Sequence, residues 1–92
     1  MDNQLKYLTE KVLKFRDERN WEKFHAGKDL AMCLSIESSE LLELFLWKTE
    51  NEADLEKLKD EMADVFYSLL LLSAKYNIDL GNILEEKIKK IN

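Results

Sequence analysis

Three acidic pairs stand three residues apart in this chain, Glu37 with Glu40, Glu40 with Glu43, and Glu61 with Asp64. Residues three apart lie on one side of a helix, so each pair can present two carboxylates together. With 19 Asp and Glu among 92 residues such pairs also arise by chance, and spacing alone carries no signal. Position relative to the apolar stripe does. With Leu30 set to zero and about 100° per residue, the stripe of Leu30, Leu34, Leu41 and Leu44 runs from roughly −60° to +60°. Glu37 then falls at about −20°, inside the stripe, and Glu40 at about −80°, on its edge. Glu43 points away, as a solvated residue should. A carboxylate inside an apolar stripe is costly unless it is paired, protonated or bound to a cation. Ser35, Ser38 and Ser39 leave room around Glu37. On the next helical segment Glu61 and Asp64 lie beside the apolar stripe, on the side that also carries Ser68 and Leu71.

Clustered carboxylate oxygens with no thiolate and scarce imidazole suit a hard cation, Mg²⁺ or Mn²⁺. Such ions neutralise phosphate charge, align a scissile bond and supply hydroxide at neutral pH. The competing reading is salt bridging, with Glu37 or Glu40 paired to lysines of a neighbouring helix. A di-iron carboxylate bundle needs a Glu-x-x-His pair on each of two helices. The chain has one histidine, His25, and it lies in a connection.

Four helices are predicted to position these groups. Leu5, Leu8, Val12 and Phe15 recur at helical spacing and mark a helix over residues 3–19. An aromatic-rich connection follows from Asn20 to Lys28, holding Trp21, Phe24 and His25. Asp29 is the expected cap of the second helix. Thr49 to Glu52 has capping-box spacing and opens the way to the third, whose stripe is Leu55, Leu58, Met62, Val65, Leu69, Leu72 and Tyr76. Asn77 to Asp79 ends it, and Asp79 caps a fourth helix carrying Leu80, Leu84, Ile88 and Ile91. From Val65 to Leu72 the third helix is apolar on almost every side, with Tyr67, Leu70 and Leu71 off the stripe. A helix apolar all round must be covered all round. Three short helices cover one side, and a second subunit is the simplest cover for the other.

Composition agrees. The chain has no proline, two glycines and one cysteine, with 46% hydrophobic and 36% charged residues. That excludes collagen, low-complexity sequence and a many-turned β-sandwich, and predicts one all-α domain over residues 1–92. A domain this small buries a modest share of its surface, which again favours a homodimer or homotetramer. Fourteen Lys and Arg against 19 acids give a net charge of −5, poorly suited to a nucleic-acid polymer. Cys33 has no partner in the chain, as in a reducing compartment. Met1 to Gln4 have neither the basic nor the apolar stretch of a signal peptide, and the longest uncharged run, residues 65–74, is too short to span a bilayer. The expectation is a soluble cytoplasmic protein with no membrane partner.

Glu37-Ser38-Ser39-Glu40, twenty residues, then Glu61-Met62-Ala63-Asp64 resembles the ExxE…ExxD signature of MazG-like, all-α nucleoside triphosphate pyrophosphohydrolases. The segments Arg19-Asn20-Trp21-Glu22-Lys23-Phe24-His25 and Glu40 to Lys48, with Trp47, are similar to the dCTP pyrophosphatase branch. The resemblance covers residues from about 10 to 90. It implies Mg²⁺-dependent hydrolysis of a nucleoside triphosphate to monophosphate and pyrophosphate, with a dCTP-like substrate and a role in nucleotide-pool housekeeping. It implies Glu37, Glu40, Glu61 and Asp64 as metal ligands, with Glu40, at the stripe's open edge, as the candidate for orienting the attacking water. Trp21 and Trp47 match aromatic positions of the nucleobase pocket, where any base can stack; their alternative is core or interface packing. His25 either hydrogen-bonds substrate or ties down its connection. Lys28 and Lys48 are candidates for approaching phosphate.

Two departures stand out. Relatives often carry Tyr seven residues after the third motif carboxylate, where this chain has Ser68 beside Tyr67. Relatives also end the fourth helix with a Lys and Asn followed by a basic tail; Lys87 and Asn92 are the candidate counterparts here, and either that tail is missing or phosphate is gripped differently. The functional alternative is a non-catalytic helical interaction module whose buried carboxylates only fix pairing register.

Overall fold

A computed structural model describes residues 3–49 and 52–91. Four α-helices run through them: α1 (Asn3–Glu18), α2 (Gly27–Glu43), α3 (Leu55–Lys75) and α4 (Leu80–Ile91), with a short 3₁₀ turn over Glu22–Phe24 between the first two. The described residues contain no strand, and the all-α expectation holds.

The helix ends have clear local causes. α1 closes on Asn20 at φ 56°, with the Trp21 amide donating to the Arg16 carbonyl at 3.1 Å and the Asn20 amide to Asp17 at 3.1 Å. α3 closes the same way on Asn77 at φ 53°, with Ile78 N–H donating to Ser73 at 2.9 Å. Both are Schellman closures, in which asparagine tolerates the left-handed conformation. Asp79 accepts from the Asn82 amide at 3.1 Å and caps α4 as expected.

Two expected caps fall elsewhere. α2 begins at Gly27 with Ala26 at its cap, and Asp29 sits within the first turn, where a carboxylate favours the helix dipole without capping. α3 is capped by Asp54, which accepts from the amides of Glu56 and Lys57. Thr49 does donate to Glu52 at 3.1 Å, but this bond closes a separate turn ahead of the cap; Glu50 and Asn51 of that box lie outside the described residues.

α1 and α2 both pack on α3. The fully buried apolar residues are Leu30 of α2 with Leu70 and Leu71 of α3, joined by Ser68 and Ser73. Leu70 and Leu71 lie more than about 100° from the α3 stripe read from the sequence. That stripe is therefore not the centre of the core: Met62 stays 55% and Leu55 66% exposed. Nor does α4 cover it. The apolar residues of α4, Ile83, Leu84, Ile88 and Ile91, are themselves exposed. At the other end of α3, Tyr76 approaches Gly27 so closely that a Cβ there would collide with its hydroxyl. Gly27 thus lets the end of α3 sit against the start of α2.

Candidate active site

The packing of α2 on α3 brings the acidic pairs together. Glu37, Glu61 and Asp64 each place a carboxylate oxygen within 4.8 Å of the other two. Glu40 stands outside this group of three, but its charge acts on all of them. Glu37 and Glu61 are half-buried. Burial pushes Glu37 up to about 7, reinforced by the charge of Glu40, a hydrogen bond with Glu40, and the charges of Asp64 and Glu61. Burial, then Glu40 and Asp64, raises Glu61 above the usual carboxylate range. Asp64 is raised by burial, Asp60 and Glu40. Each of these charged neighbours is itself an acid.

Salt bridging does not account for the cluster. The ion pairs among the described residues, Lys14–Glu18, Arg16–Asp17 and Lys59–Glu56, include none of the four carboxylates. Glu37 Oε2 and Glu61 Oε2 are instead buried with no hydrogen-bond partner. Two buried acceptors without a donor, in a cluster of one sign, make the environment a divalent cation would relieve. The size fits as well: ligands on opposite sides of Mg²⁺ at about 2.1 Å each stand about 4.2 Å apart. The serines nearby do not compete, since Ser38 donates to the Leu34 carbonyl at 2.8 Å and Ser39 to Ser35 at 3.0 Å.

Trp21 belongs to an aromatic group that the sequence did not reveal as one. Its ring meets Phe15 edge-on at 5.8 Å, and Phe15 meets Tyr67 at 6.2 Å. The Arg19 guanidinium lies 3.5 Å over the Phe15 ring. Val12, Phe15, Arg19 and Tyr67 line a cavity of about 510 Å³. The Tyr67 hydroxyl is buried without a partner, and burial raises its pKa. Tyr67 follows Asp64 by three residues, about 4.5 Å of rise along α3, while none of the four carboxylates lines this cavity. Phe15 reads from the sequence as an ordinary stripe residue; the available signal was Tyr67, off the stripe of α3.

His25 lines a separate cavity of about 280 Å³ with Arg16, Glu22 and Lys75. Its Nδ1 is buried and unpartnered, and burial followed by Arg16 lowers its pKa. Trp47 lies past the end of α2, fully exposed, at φ 64°. That conformation costs a bulky residue about 1–2 kcal/mol. Lys48 and Lys87 are exposed, and Asn92 lies outside the described residues.

The chain belongs to the MazG-like family, whose pattern matches residues 32–92. Among individual proteins it is 38% identical to human dCTP pyrophosphatase 1 over 74 residues, 72% of this chain and 44% of that protein. The mouse dCTP pyrophosphatase 1 is 34% identical over 82 residues, 80% of this chain and 48% of that one. The chain thus spans about half the length of the curated relatives it matches. A crystal structure of a pyrophosphatase from Archaeoglobus fulgidus is 32% identical and covers 98% of this chain and 90% of its own, with a TM-score of 0.86.

Proposed function

We propose that this chain is the catalytic unit of a metal-dependent pyrophosphohydrolase that cleaves a nucleoside triphosphate to monophosphate and pyrophosphate. The observation that carries this reading is the all-acid cluster of Glu37, Glu61 and Asp64, with oxygens within 4.8 Å and two of them buried without a donor. In this reading these three residues and Glu40 hold Mg²⁺, or Mn²⁺ in its place. When bound, the ion neutralises phosphate charge and aligns the scissile bond.

The remaining work falls to the chain's own side chains. Glu40, beside the three, accepts a proton from the attacking water and orients it. Trp21, in edge contact with Phe15, offers a base an aromatic ring; stacking supplies affinity rather than selectivity. A dCTP-like substrate is favoured because the relatives named above are dCTP pyrophosphatases. His25, whose charged neighbours are Arg16, Asp29 and Lys75, holds the connection in place. In the same reading Trp47 offers a second ring to the base and Lys48, Lys87 and Asn92 approach the phosphates, in an assembly of two or four chains. Nucleotide-pool housekeeping in the cytoplasm is the setting that suits such a reaction, with no nucleic-acid polymer or membrane as partner. No helix among the described residues is long and apolar enough to cross a membrane.

Thermal melting with and without Mg²⁺ tests the site. Mg²⁺ is expected to raise the Tm of the wild-type protein by mass action and to leave that of Glu37→Gln and Asp64→Asn unmoved. Equal stabilisation of all three, or of none, would favour the non-catalytic interaction module.

A further inference from the structure

A polar cavity near the start of α2 and the end of α3 is used by no step of the proposed reaction. It measures about 280 Å³, and its lining includes Arg16 of α1, Glu22 and His25 of the connection, Leu30 of α2 and Lys75 of α3. None of the four motif carboxylates lines it, and Lys75 stands about 16 Å of helix rise beyond Asp64. In a chain of net charge −5, this lining is the reverse of the acidic cluster, with two cations and one acid.

Three elements each bring an unused donor to this cavity. The Nδ1 atom of His25 is buried with no hydrogen-bond partner, a state that a buried polar group rarely keeps unless something outside the chain completes it. The ring is not what closes its turn, because the His25 backbone amide donates to the Glu22 carbonyl at 2.9 Å. The Arg16 side chain is only 16% exposed. Its Nε donates to Asp17 at 2.9 Å and Nη2 approaches the same oxygen at 2.8 Å. The Nη1 group, also a donor, has no partner among the described residues. Lys75 forms no ion pair among them. Arg16 and Lys75 each lie in the last turn of a helix, where a cation complements the helix dipole. That role accounts for the two charges and leaves the orphaned imidazole nitrogen beside them unexplained.

We propose that this cavity binds a phosphate-type oxyanion, held by the Arg16 guanidinium, the Lys75 ammonium and the His25 Nδ1–H. Donors that converge from three elements suit a tetrahedral ion, which can offer each its own oxygen, better than a planar carboxylate with two. Leu30 lies in the first turn of α2, so the positive end of that helix adds to the two cations. The charged groups around the imidazole are Arg16 of α1, Glu22 of the connection, Asp29 of α2 and Lys75 of α3. Burial and then Arg16 lower the His25 pKa, Asp29 opposes them, and Lys75 lowers it further. An anion seated against the two cations favours the charged ring and moves that pKa back up. The site stands independently of the reaction the chain performs.

His25 is the one histidine of the chain, so its titration can be followed directly in two-bond ¹H–¹⁵N spectra of the imidazole. Protein stripped of metal on a chelating resin is titrated from pH 5 to 8 in inorganic phosphate, in glycerol 3-phosphate, and in acetate or chloride at matched ionic strength. Phosphate is expected to raise the midpoint by about half a pH unit, a preference of about threefold for the charged ring. Arg16→Gln and Lys75→Gln should lose that rise, and Lys59→Gln, a cation elsewhere on α3, should keep it. Lys75 is exposed, so its variant decides should Arg16→Gln fail to fold. A rise in inorganic phosphate alone identifies the free ion as the ligand, and a larger one in glycerol 3-phosphate a phosphate carried on a bigger molecule. No rise in either, as for a cavity that holds only water, an equal rise in acetate, or one that survives in Lys75→Gln would overturn the site.

Discussion

Glu37 is the residue on which the proposed chemistry turns, because its half-buried carboxyl forms no ion pair with a lysine or arginine among the described residues. Its carboxyl, raised to about 7 from an ordinary 4.5, is protonated more readily in the folded chain than in the unfolded one. Between those two values the native state binds more protons, so the stability of the metal-free protein should fall as pH rises through that window. Melting after EDTA treatment from pH 5 to 8 checks this. Glu37→Gln should flatten the profile and raise the Tm at pH 8, whereas an unchanged slope would place the strain elsewhere. Trp21 carries a separate expectation. Base stacking is worth about 1–3 kcal/mol, so Trp21→Ala should raise KM for the triphosphate roughly five- to 150-fold and leave kcat nearly intact. A fall in kcat alone would make the ring a structural support. Glu37's place in the cluster was legible in the sequence from its angle on the stripe, whereas Trp21 was singled out by its matching segment alone. Phe15 and Arg19 were not, because nothing local distinguishes a stripe phenylalanine from one that also walls a cavity.

At the scale of the element, helix existence and type were readable from periodicity and helix ends only in part. Asp79 caps α4 as its position suggests, and the two asparagine closures follow from the tolerance of that residue for positive φ. Thr49 misled because its bond to Glu52 is real yet belongs to a turn of its own, while Asp54 does the capping. Asp54→Ala should therefore destabilise the protein by about 1 kcal/mol, and Thr49→Ala should have a smaller effect; chemical denaturation of the two variants compares them. The side of α3 that packs was harder to read. A helix apolar on nearly every side gives no moment to follow, and Leu70 and Leu71, off the stripe, form the core that α1 and α2 complete. Leu71→Ala should cost about 2–5 kcal/mol, as other buried leucines do.

On the scale of the whole molecule, small size and an all-apolar helix raise the expectation of partners, and the single chain leaves Leu55, Met62 and Tyr76 of α3 and Ile83, Leu84, Ile88 and Ile91 of α4 exposed. Glu61 and Asp64 lie on the flank of α3 that meets Glu37 of α2, so one chain supplies the acidic cluster. The net charge of −5 divides between solvated helix faces and one concentrated cluster, Glu37, Glu61 and Asp64, that could hold a cation. Phosphorus-31 resonance of the protein incubated with Mg²⁺ and a panel of ribo- and deoxynucleoside triphosphates, dCTP among them, tests this account most directly. It predicts that nucleoside monophosphate and pyrophosphate appear together with the wild-type chain and that Asp64→Asn yields neither. Triphosphates that persist unchanged across the panel, or a diphosphate appearing with orthophosphate, would contradict it.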